Sequence, residues 1–124
     1  MTFTHNWMNQ GLHVKFFDTL TSEDLIKSNS KMVGEIEFEK IKFLIVDFID
    51  VTELEVDDND VNISVKFAID TDHYNRDLKV ASVSNDKELK LLIEKFIKNT
   101  ISEVPHAQHK LFENISEAQT WLTS

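Results

Sequence analysis

Two hydrophobic periods alternate along the chain. Residues 3–8 and 13–17 carry the two-residue repeat of short strands, and Asn9-Gln10-Gly11 between them supplies turn-forming residues, so the pair is predicted to be a hairpin. Thr21-Ser22-Glu23-Asp24 is a capping-box start with acids suited to the positive helix end. Leu25, Ile26, Met32 and Val33 then share one helix side, and Gly34 is the stop. Residues 35–42 alternate charged and apolar types and are predicted to be extended, feeding a strand over 42–48. That strand is apolar on both faces, as a central strand covered on both sides requires. Leu78 to Val83 is a further strand. Asp86 caps the clearest helix, whose Leu89, Leu92, Ile93, Phe96 and Ile97 form one stripe. Pro105 ends the next connection, Lys110-Leu111-Phe112 is a short strand, and Asn114-Ile115-Ser116-Glu117 caps a last helix carrying Ala118, Trp121 and Leu122 on one face.

Residues 57–74 are ambiguous. Apolar residues at 61, 63, 65, 67 and 69 have strand periodicity. A helix is favoured by the Asp57-Asp58-Asn59-Asp60 cap, by the need for a crossover between parallel strands, and by the length of the span. On a helix, Val61, Val65, Ala68 and Ile69 would pack on the sheet. Ile63, Phe67 and Tyr74 would form a second apolar stripe, joined by Trp7 as candidate ligand-binding residues. This stripe is either ordinary core beneath neighbouring elements or a groove for a ligand, membrane or partner. The order β-β-α-β-α-β-α-β-α implies an α/β fold with a mixed sheet, an antiparallel edge hairpin and a mainly parallel remainder, in a single domain over 1–124.

Composition narrows the function classes. With 124 residues and 41% hydrophobic content, a core can form without staples, and the absence of Cys excludes disulfides, thiol nucleophiles and Cys-type zinc sites. The net charge of −9 argues against nucleic-acid binding. No signal peptide or membrane-length apolar run is present, so the expected location is cytoplasmic, with membrane association through an apolar face and no integral span.

The strand Leu44-Ile45-Val46-Asp47-Phe48-Ile49-Asp50-Val51, the strand Lys79-Val80-Ala81-Ser82-Val83, and Lys110-Leu111-Phe112 followed by Glu117-Ala118-Gln119-Thr120-Trp121-Leu122 resemble, in order and spacing, the STAS (SpoIIAA-like) family in its stand-alone bacterial branch. The resemblance spans nearly the whole chain. It implies a mixed sheet wrapped by helices, no catalytic residues, and roles in regulation or ligand binding. The family's anti-sigma-factor antagonists carry a phosphorylatable Ser in the turn before the second helix. The matching stretch here, Glu55-Val56-Asp57-Asp58, has no hydroxyl, so the resemblance does not carry that switch over.

Catalytic chemistry has little support in the residues. No phosphate loop, nucleophile elbow or zinc-protease motif occurs, and no enzyme, cofactor or metal is expected. His106 and His109 are placed in a loop after Pro105 and read as solvated; Asp70, Asp72 and His73 read as exposed polar residues. The leading expectation is a non-enzymatic domain that binds an apolar small molecule or lipid through the second stripe of helix 57–74. The alternative is a regulatory module in which that stripe docks a protein partner or a second copy.

Overall fold

A computed structural model describes residues 2–124. Strands β1 (Phe3–Met8) and β2 (Gly11–Thr21) form the hairpin. Its tight turn places Gln10 at a φ of 64°. At Gly11 a β-carbon would meet the Phe43 ring at 2.1 Å, so glycine lets that ring lie across the strand. Helix α1 (Ser22–Val33) begins at Thr21, whose hydroxyl accepts from the Asp24 N–H, and ends at Gly34.

Residues 36–39 form a 3₁₀ turn, not the extended segment expected over 35–42. Phe38 from this turn is fully buried, which three-residue periodicity achieves while its charged neighbours stay exposed. Strand β3 runs Phe43–Glu55, well past the expected 48. The acidic residues at its end are exposed on a strand, where no burial penalty opposes them. Helix α2 (Asp58–Tyr74), strand β4 (Lys79–Val83), helix α3 (Lys87–Glu103), strand β5 (Gln108–Phe112) and helix α4 (Ile115–Leu122) follow. The ambiguous segment is a helix.

The sheet order is β1-β2-β3-β4-β5, with β1 and β2 antiparallel and every other pairing parallel. Leu44 and Phe48 join one core layer with Leu12, Phe16 and residues of α1 and α3. Ile45, one residue out of phase, joins the opposite layer with Ala81, Val83 and Ala118 of α4. The double-sided burial expected of the central strand is therefore present.

The pairing of β2 with β3 slips twice, between Lys15 and Phe17 and between Asp18 and Thr19. At the first slip the Ile49 N–H donates to Asp47 Oδ1 at 3.0 Å, while Asp47 Oδ2 lies 2.9 Å from His13 Nε2. Strand β4 pairs only with residues 43–47 of β3, so the remainder of β2 and β3 projects as a two-stranded ribbon. The ribbon delivers the chain to α1 on one strand and to α2 on the other, with Thr21 opposite Glu55.

Candidate functional site

Helix α2 starts with a complete capping box. The Asp57 carboxylate accepts from the Asn59 and Asp60 N–H groups, and the Asp60 carboxylate returns a bond to the Asp57 N–H at 2.9 Å. At its other end the Asn75 side-chain amide donates to the carbonyls of Phe38 and Ile41, at 2.9 and 2.8 Å. The first end is thus closed by its own cap, and the second is tied to the segment that leads into β3.

Between the two ends of α2 lies a cavity of about 180 Å³, partly open to solvent, over β2, β3 and β4. Helix α1 contributes Leu25, Ser28 and Met32 to its wall, and α3 contributes Leu89, Ile93 and Phe96. The cap residue Asp57 and Asp60, Val61, Ser64, Phe67, Ala68 and Thr71 of α2 line it as well. At 100° per residue these fall within about 60° of Ser64. Their small members explain the space: Ser64, Ala68 and Thr71 stand where a filled core would carry Leu or Ile. Its lining on this element runs from the cap residue Asp57 to Thr71. Asp57 is exposed, so the cavity reaches the surface near the start of α2.

This geometry alters the expected division of α2 into two stripes. Phe67 shares the sheet-facing side with Val61 and Ala68, because the centre of that side is Ser64 and not Val65. Val65 is buried on the flank toward α3, the flank on which Asp58 pairs with Lys95 at 2.8 Å and Asp72 meets His106 at 2.7 Å. Of the four candidate ligand residues, Phe67 lines the cavity. Ile63 is half-buried on the α1-facing flank, outside the lining. Tyr74 is 53% exposed at the end of the helix, and Trp7 packs against the large core layer from β1. The structure does not bring these four together.

One histidine differs from expectation and one does not. His106 is exposed in the loop after Pro105, as expected, and meets Asp72, which is half-buried and not simply exposed; Asp70 and His73 are exposed as expected. His109 lies within β5, not in a loop, since the strand begins two residues earlier than expected and its alternation turns this side chain toward α3. Its ring meets Phe96 edge-on at 5.5 Å and lines the cavity. Burial pushes its pKa down to about 4, so the imidazole is neutral near pH 7. Its Nδ1 is buried without a hydrogen-bond partner. Alternation within 108–112 was the signal that could have placed it. Among the described residues, no group of three or more His, Asp or Glu side chains is arranged to hold a metal.

Comparison with solved structures gives near-complete coverage. Unphosphorylated SpoIIAA, an anti-sigma factor antagonist, superposes with a TM-score of 0.62 at 7% identity, over 98% of this chain and 96% of that one. An anti-sigma factor antagonist from Mycobacterium paratuberculosis superposes with a TM-score of 0.61 at 10% identity, over 99% and 94%. The chain therefore has the SpoIIAA fold of STAS-domain proteins, as its residues suggested. No protein-family model and no curated protein sequence matches it. Among the described residues, no helix is long and apolar enough to cross a membrane.

Proposed function

We propose that the protein is a non-enzymatic regulatory module that docks a protein partner through the tip where the β2–β3 ribbon meets α2. The observation carrying this reading is the superposition of nearly the whole chain on two anti-sigma factor antagonists, whose function is to engage another regulatory protein. Glu53, Glu55 and Asp57 are exposed at the tip, and none forms an ion pair with a described residue. Such a surface suits a partner with a basic face, where opposite charge accelerates encounter and excludes wrong partners. The first turn of α2, Asp58-Asn59-Asp60, has no hydroxyl to phosphorylate, so docking here runs without a phosphoserine switch at that position.

The test is affinity capture from the source organism with the native chain and a Glu53→Lys/Glu55→Lys variant. A regulator retained by the first and lost by the second supports the reading. Equal retention by both moves docking away from the tip, and capture of no partner overturns the module. A second reading, an apolar small-molecule or lipid site, is favoured by the cavity beneath α2. Native mass spectrometry of protein from its own host, followed by denaturation to identify released compounds, tests it; a clean apo mass counts against it.

A further inference from the structure

Resting on the reading of the tip as a docking surface, we infer that the cavity beneath α2 is the anchor pocket of that surface. Its occupant is one large apolar side chain, of the size of Leu or Phe, carried on a basic segment of the partner whose Lys or Arg residues meet the acids of the tip. Three observations meet in this assignment. The first is position. The lining includes Leu20 near the end of β2, Val56 between β3 and α2, and the capping acids Asp57 and Asp60, so the cavity begins where docking is placed. It is partly open to solvent, and Leu25, Val56, Ser64 and Phe67 in its lining are half-buried, so an incoming side chain has a way in.

The second is size. Pockets that enclose a whole small molecule run to about 300–1,000 Å³, whereas an apolar space of roughly 150 Å³ holds one benzene. At about 180 Å³ this cavity takes one large apolar side chain and would leave most of a lipid outside. The third is charge. No Lys or Arg lines the cavity, and residues 50–60 carry six acids and no base. Asp50 and Asp58 are paired with Lys15 and Lys95, which leaves the exposed Glu53, Glu55 and Asp57 to face an incoming cation. An apolar pocket beside an acidic rim is complementary to an apolar anchor flanked by bases. In such contacts the desolvated anchor carries most of the binding energy, and the charges select the partner.

The experiment selects random dodecapeptides displayed on phage against the full native chain at pH 7. Affinities of the enriched peptides are then measured for the native protein, for Ala68→Leu, which fills the cavity, and for Glu53→Lys/Glu55→Lys, which reverses the rim. Backbone amide shifts locate each peptide, and circular dichroism checks folding; Ser64→Val replaces Ala68→Leu if the latter fails to fold. The expected peptides combine Leu, Phe or Trp with Lys or Arg, shift the amides of Ser64, Phe67 and Ala68, and bind each variant about tenfold more weakly. Exchanging their apolar residue for Ser costs at least as much. If rim reversal weakens the peptides but the filled cavity does not, docking at the tip stands and the anchor is overturned. If the filled cavity weakens them and rim reversal does not, the basic character of the partner is overturned. Toluene, titrated alongside, probes the cavity alone. Saturable toluene shifts that Ala68→Leu abolishes, with no peptide reaching residues 64–68, would make the cavity a small-molecule site and overturn the inference. If no enriched peptide shifts either the tip or the cavity residues, the docking reading and this inference fall together.

Discussion

Helix α2 is held differently along its two flanks. Toward α3 it buries Val65 and faces partners at both ends, Asp58 with Lys95 and Asp72 with His106. Toward α1, no side-chain hydrogen bond or ion pair joins the two helices among the described residues. The cavity stands between them, with Ser28 and Met32 on one wall and Ser64 and Phe67 on the other. Exposed ion pairs contribute about 0–1 kcal/mol each, so the α3 flank owes its hold mainly to Val65. The contrast separates two tasks within one helix. One flank fixes it to the fold, and the other leaves room that can be filled without breaking a specific bond.

The largest effect expected from this arrangement is on pH dependence. His109, on the strand beneath α2 and α3, has its pKa lowered from 6.5 to about 4 by burial. Between these values the unfolded chain binds a proton that the folded chain refuses. Stability present above pH 6.5 is therefore lost as pH falls toward 4, by at most about 3 kcal/mol. Urea midpoints of the native chain and His109→Leu, compared at pH 7.5 and 4.5, measure it: the variant should lose less on acidification. Equal losses would mean that the cavity floor is wetter than the packing of His109 against Phe96 implies. Burial, with Lys31 nearby, lowers His5 in the same direction, so some slope should persist in the variant.

The comparison of flanks is sharpened by two substitutions on α2. Val65→Ala should cost about 2 kcal/mol, because it opens space in a filled contact. Phe67→Ala removes a larger side chain, yet should cost only about 1 kcal/mol, because Phe67 already borders space. Denaturant unfolding that ranks them the other way would break the distinction between a packed and an open flank. Asp57→Ala removes the cap shared by both flanks and should cost about 1 kcal/mol, read as a lower thermal midpoint. Lys95→Ala should cost less than about 0.5 kcal/mol, since its pair with Asp58 is solvent-exposed. A loss above 1 kcal/mol would show that this ion pair, and not Val65, fastens the flank.

Much of the architecture was legible from residues that act locally. Thr21, Asp57, Asp86 and Asn114 were each readable as caps, and each accepts a first-turn N–H in the structure. The doubly apolar run at 43–48 marked the central strand for the same reason it is buried on two sides. The candidate site was less legible. A 100° helical period places a stripe on a cylinder but does not say where the sheet lies, and a shift of one residue in the centre, from Val65 to Ser64, moved Phe67 from the outside to the cavity wall. Trp7, Ile63 and Tyr74 were grouped with it by hydrophobicity, a property that does not encode direction.

The sequence by itself determined the element order, the helix starts, the central strand and hence the resemblance to SpoIIAA-like proteins, because caps and periodicities depend on neighbours a few residues away. Only the tertiary structure decided how far β3 extends, since residues past Phe48 become strand by pairing with β2. It also decided that Asn75 would bind the carbonyls of Phe38 and Ile41, more than thirty residues distant, and that His109 would be left beside a cavity without a partner. Space, desolvation and unpaired polar atoms arise where elements remote in the chain come together, so no local pattern records them.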